Sequence, residues 1–170
     1  MKPLRLALAL SSLALAPAAH ALPHAGGAMP SFSVNDISGS PHTQADLQGH
    51  WSVLVVMTDK DAREMVTAWW RRLEVSVPPR ATMYTLAALS LFPLIPTAPM
   101  LSEARSTAPR ARWPYVWFSR DGSLRRSLGL PEEEMPWVVV VRPDGRIALT
   151  LHERVSDAGV ARVLATLPEQ

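Results

Sequence analysis

Near the end of the sequence a run without a polar face, Trp137-Val-Val-Val-Val141, leads through Arg142-Pro-Asp-Gly145 into Ile147, Leu149 and Leu151 at alternate positions. A strand that is apolar at every position must be covered on both faces, Pro-Asp-Gly turns the chain, and a period of two on the return strand points one face inward. This is an antiparallel hairpin whose first strand lies deep in a sheet. A second apolar run, Trp51-Ser-Val-Leu-Val-Val-Met57, has the same character and reads as a central strand. Thr58-Asp59-Lys60 interrupts it, and Asp61-Ala-Arg-Glu64 carries the Asp-x-x-Glu spacing of a capping box, so a helix should begin there. Ala62, Met65, Val66, Trp69 and Leu73 share one face of that helix, while Trp70 points to its edge. Pro78 and Pro79 close the connection, and residues 82–89 read as a second buried strand. Strand, helix and strand in that order imply a parallel crossover. A sheet that holds both this crossover and the hairpin is a central mixed sheet of the α/β class, flanked by helices.

The remaining segments fit around that sheet. Phe32 and Val34 alternate before a turn at residues 36–39 and form a short hairpin or arm. Residues 91–100, from Leu91 to Met100, are apolar but carry Pro93, Pro96 and Pro99, which argues against a regular helix or central strand. Such a segment is either a loop tucked against the core or an exposed apolar patch for a partner or a membrane surface. Residues 101–106 add a helical turn or two, residues 115–118 a short strand, and residues 123–128 a short helix stopped by Gly129. Ser156 caps a final helix with Val160, Val163, Leu164 and Leu167 on its apolar stripe.

The first 21 residues read as a signal peptide: Lys2 and Arg5 precede an apolar run from Leu6 to Leu15, and Ala19-His20-Ala21 supplies the small-x-small cleavage pattern. The run falls short of the roughly 20 residues that span a bilayer, and no cysteine follows it to accept a lipid, so no stable membrane anchor remains after cleavage. Periplasmic or secreted location follows. A flexible Pro, Gly and Ala-rich lead over 22–29 then precedes one domain over 30–170. Lys2 and Arg5 account for the whole excess of 17 basic over 15 acidic residues, so the exported part is balanced and offers no basic tail for nucleic acid. Without disulfides the domain relies on its core, and a chain of this size buries about 68–70% of its unfolded surface.

Several segments, in this order and spacing, resemble the thioredoxin-like superfamily, and within it the peroxiredoxin and thiol-disulfide oxidoreductase branch, over residues 30–167. They are Pro30-Ser-Phe32 through Asp36 and Gly39 to Leu47-Gln-Gly49, the strand from Val53 to Met57, residues 115–122, Leu128-Gly129, Pro136, and Val138 through Gly145 to Ile147. The resemblance implies a three-layer fold with a nucleophilic cysteine just after the strand ending at Met57, where a helix start lowers a thiol pKa. Here that stretch is Thr58-Asp59-Lys60-Asp61-Ala62-Arg63, and the sequence has no cysteine anywhere. The family's cleft proline, commonly cis, corresponds to Pro136, with Met135 presenting its backbone to the cleft.

What the resemblance implies is a binding cleft of Thr58, Asp59, Lys60, Asp61, Met135, Pro136 and Trp137, with no catalytic residue, metal or cofactor. A threonine hydroxyl cannot run a thiol redox cycle and has no base paired with it in the sequence, so Thr58 or Asp59 reads as a helix cap. Asp59, Asp61 and Glu64 are explained by helix capping and first-turn charge. Glu132-Glu-Glu134 is a solvated loop or a rim selecting a basic partner. His24, His42, His50 and His152 have no metal-ligand spacing and read as dispersed surface residues. The favoured function is a non-catalytic domain that binds a peptide or protein through the degenerate cleft or the 91–100 loop. The alternative is a redox or antioxidant enzyme of the family's type that depends on a partner's thiol.

Overall fold

The two runs with no polar face become the middle of the sheet. In the computed structural model, which describes residues 22–168, β3 (Trp51–Met57) lies between β4 (Ala81–Ala88), parallel to it, and β6 (Trp137–Val141), antiparallel to it. β6 turns back into β7 (Ile147–His152), and β5 (Val116–Ser119) runs parallel beside β4. The arm is a hairpin of β1 (Ser33–Asp36) and β2 (Pro41–Thr43), giving a seven-stranded mixed sheet in the order β2-β1-β5-β4-β3-β6-β7.

Alternation along β3 divides its side chains between two cores. Val53 and Val55, with Val138 and Val140, face α1 (Arg63–Leu73) and α4 (Asp157–Thr166), where they meet Val66, Trp69, Leu73, Val160 and Val163. Leu54 and Val56, with Val139 and Val141, face the arm and α3 (Ser123–Ser127), meeting Phe32, Leu47, Trp117 and Leu124. Each such buried aliphatic side chain stabilises the fold by about 1.5–3 kcal/mol relative to exposure. Gly129, with φ of +66°, ends α3 in the left-handed conformation, and the next amide donates back to the Arg125 carbonyl at 3.1 Å.

Several expectations are corrected. α2 (Thr97–Thr107) begins inside the segment read as irregular, because Pro99 falls in its first turn, where the missing amide would have had no partner in any case. The cap before α1 is Asp59 and not the Asp61–Glu64 pair: Asp59 accepts the Asp61 amide at 2.8 Å ahead of a 3₁₀ turn, Lys60–Ala62, that runs into the helix. Residues 22–29, read as a flexible lead, lie against the β6–β7 hairpin. There Gly26 and Met29 donate to the carbonyls of Ile147 and Gly145, Ile147 donates to Gly27, and Met29 is buried. Their composition carries no sign of these bonds. The histidines are less exposed than expected: His42, His50 and His152 are half-buried, each beside a different aromatic ring. Asp36 anchors the arm's turn. Burial works against its charge, but bonds from the Ser38 hydroxyl, His42 and the Ser40 and Ser38 amides outweigh that and hold its pKa below the usual 3.8. The signal peptide reading lies outside the described residues. Among those residues no helix is long and apolar enough to cross a membrane.

Candidate functional site

The topology brings four connections to one end of the sheet. β3, β4 and β5 run the same way and β6 the opposite way, so residues following the first three emerge beside those preceding β6. β3 is also where the chain changes direction across the sheet, toward β4 and β5 on one side and β6 on the other. Clefts in open α/β sheets form at such points.

At that point Thr58 is fully buried. Its Oγ1 donates to the Glu133 carbonyl at 3.1 Å and accepts the Glu133 amide at 3.1 Å, closing a clasp between the end of β3 and the loop before β6. Thr58 is therefore a tie between segments and not a helix cap. Asp59 serves as the cap, and the two residues after it face solvent: the Lys60 ammonium reaches both Asp61 carboxylate oxygens at 2.7 and 2.9 Å, a bond that raises the lysine's pKa. Asp59, Asp61 and Glu132 to Glu134 make this rim rich in carboxylates, with Arg125 at 3.6 Å from Glu132 as a partial counterweight.

Met135 is half-buried, Pro136 is buried, and the bond between them is trans, as is every peptide among the described residues. The cis geometry implied by the resemblance is thus not adopted. Trp137 pairs in register with Val56 and packs its ring on His152, centroids 3.9 Å apart and planes within 4°. The Trp137 indole N–H is buried without a partner in the protein, a cost of about 1–3 kcal/mol for such a donor. His152 Nε2 lies 3.0 Å from the Glu133 carboxylate but out of line for a hydrogen bond. His152 was not among the candidates. It faces Trp137 across the hairpin register, but the register shifts by one between Val140 and Val141, so counting back from the Pro-Asp-Gly turn would have pointed to Leu151 instead.

Two further residues shape the same end. Arg120 donates to the carbonyls of Phe92 and Pro93 and to the Thr97 hydroxyl, pinning the β4–α2 connection, in which Phe92, Leu94 and Ile95 are exposed, Leu94 by 83%. That resolves the two readings of the 91–100 segment: its early half is an exposed apolar patch and its later half is helix. Asp121 accepts bonds from the Ser123 hydroxyl and amide and from the Ser119 hydroxyl, which together hold its pKa down at about 2.

Chemically this end of the sheet offers carboxylates, one ammonium, exposed apolar side chains and a hydroxyl already used as donor and acceptor. Among the described residues no cluster of histidines and carboxylates could hold a metal ion. No family model matches the sequence, and no curated protein matches it. Solved structures do match over most of the chain. The MTB dsbF structure, in mixed oxidized and reduced forms, is similar at 19% identity and a TM-score of 0.60, covering 86% of this chain and 100% of its own. A thio-disulfide isomerase from Thermus thermophilus is similar at 17% identity and a TM-score of 0.58, over 84% and 95% of the two chains. A thiol peroxidase from Chromobacterium violaceum is similar at 12% identity and a TM-score of 0.59, over 85% and 87%. The likeness is one of fold, and the fold of this chain is thioredoxin-like. Within that fold it stands as a cysteine-less domain: residues 58–63, which follow β3, contain no cysteine, and neither does the rest of the sequence.

Proposed function

We propose that this chain is an exported, non-catalytic thioredoxin-like domain that binds a protein or peptide at the end of the sheet where Thr58 to Asp61 and Met135 to Trp137 meet. The observation that carries the reading is the absence of any cysteine, since disulfide exchange and peroxide reduction need a thiolate; beside it, the buried Thr58 hydroxyl just after β3 is engaged in both directions by the Glu133 backbone and is not free to react. The same end carries the exposed Phe92, Leu94 and Ile95 beside a carboxylate-rich rim. That combination suits a partner with apolar and basic groups. Because Thr58 already occupies the Glu133 backbone groups, the partner engages rim side chains and the apolar loop and does not pair with the chain at Glu133. Export rests on the leader over residues 1–21.

In-cell photo-crosslinking tests this with probes at Asp59, at Leu94 and at Arg162 on the exposed side of α4. The expected result is one distinct adduct at Asp59 and Leu94 and none at Arg162. Absence of an adduct at both rim positions would overturn the binding reading. Purified protein is expected to reduce disulfides and turn over peroxide no faster than buffer, and activity above buffer would restore the enzyme reading. Recovery of the protein from the cytoplasm with its leader intact would overturn export.

A further inference from the structure

From that end, α2 crosses the sheet without burying any side chain, whereas α1 and α4 on the same face bury Trp69, Leu73, Val160 and Val163. The space this leaves is a groove of about 760 Å³ between α1, α2, β4 and β5. Met83, Ala87 and Phe118 form its floor, Val66 and Trp70 its α1 wall, and Met100 lines the α2 side. Close packing is the rule in protein interiors, so a helix held off an apolar sheet needs a cause. Both ends of α2 are fixed by polar contacts: Arg120 holds Thr97, Arg105 donates to the Ile37 carbonyl, and the Trp113 indole donates to the Ala108 carbonyl. The spacing is built into the fold.

The charges on the walls cancel in place. Arg63 on α1 pairs with Glu103 on α2, and Arg112, stacked 4.8 Å over the Trp70 ring, pairs with Glu74. Inside, the Trp70 indole N–H is satisfied by the Thr85 hydroxyl. The groove thus has ligand-site volume, an apolar lining, no net charge and a satisfied indole donor, a combination that favours an uncharged apolar occupant. The exposed Arg63–Glu103 pair links the two walls, and a single slender chain can occupy the groove with that pair in place, which a broad ring system would have to open at a small cost. We propose that the groove binds an uncharged molecule with a single alkyl chain, of the fatty-alcohol class, lying along β4 and β5. None of the rim residues proposed to bind a protein lines this groove, although Met57, next to Thr58, does.

The test is a methyl-detected NMR titration of the purified protein with 1-dodecanol and, separately, with dodecanoate. The expected result is a saturable shift of the Met83, Met100, Ala87 and Val116 signals with dodecanol, at least fivefold weaker binding of dodecanoate, and unchanged signals from Val139 in the opposite core. Thr107→Trp and Ala104→Trp, which fill the groove from α2, should each weaken dodecanol binding at least tenfold; Thr107 is exposed, so its variant keeps the fold if the Ala104 variant does not. The proposal fails if no saturable shift occurs, if shifts are confined to Leu94 and Ile95, if neither folded variant weakens binding, or if the free protein shows direct Met100–Phe118 contacts that close the groove. Dodecanoate binding as tight as dodecanol would overturn the uncharged class. Crosslinking at Asp59 and Leu94 reports on the rim alone, so the two readings fail separately.

Discussion

Thr58 shows how one side chain can tie together two distant segments of a fold. Its hydroxyl satisfies two backbone groups of Glu133, a residue 75 positions later in the chain, and so secures the loop before β6. Thr58→Val keeps the shape, removes both bonds and should cost about 1–3 kcal/mol in chemical denaturation. Thr58→Ser keeps the bonds, loses one methyl group and should cost about 1 kcal/mol. Equal losses would show that the clasp contributes nothing. Asp121 makes a prediction in pH. Its folded pKa is about 2 against an ordinary 3.8, so its contribution is complete above the ordinary value and disappears as pH falls through about 2. Asp121→Asn should therefore be less stable than the parent at neutral pH by up to about 1 kcal/mol, the scale of a capping carboxylate, with the gap closing by pH 2. A gap that persists at pH 2 would assign the loss to something other than the charge.

At the scale of elements, helix starts and packing distances follow different rules. Pro99 was read as a helix breaker, yet α2 accepts it because only interior prolines cost a hydrogen bond. The approach of α4 to α1 depends on a position that helix propensity alone would improve. A Cβ on Gly159 would lie 2.8 Å from the buried Trp69 ring, whose indole N–H is tied to the Glu153 carbonyl. Gly159→Ala gains about 1 kcal/mol of propensity but overpacks a ring that cannot move aside. It should lower stability by about 1–2 kcal/mol net in thermal or denaturant unfolding, and a stabilised variant would show that the ring yields.

Across the whole molecule, β3 and β6 pair with each other and carry both cores, so their amides should exchange last, near the rate set by global unfolding. Hydrogen exchange should show Leu54, Val55 and Val139 slowest and residues 92–96 among the fastest. Fast exchange across β6 and β7 would contradict the fold. The strands and their succession along the chain, the parallel crossover, the hairpin and the final helix were legible because each is written in local periodicity, caps and turns, whereas the order of the strands in the sheet was not. The absence of cysteine excluded thiol chemistry before any geometry was known. By contrast, the Thr58–Glu133 clasp, the Trp137–His152 stack, the anchoring of residues 22–29, the trans Met135–Pro136 bond and the open space under α2 arise between segments far apart in the chain. The sequence by itself determined which elements form and which chemistry is impossible, since both depend on residue type and near neighbours. Only the tertiary structure decided which groups meet, because hydrogen-bond partners and cavity walls are chosen by three-dimensional packing that no local pattern encodes.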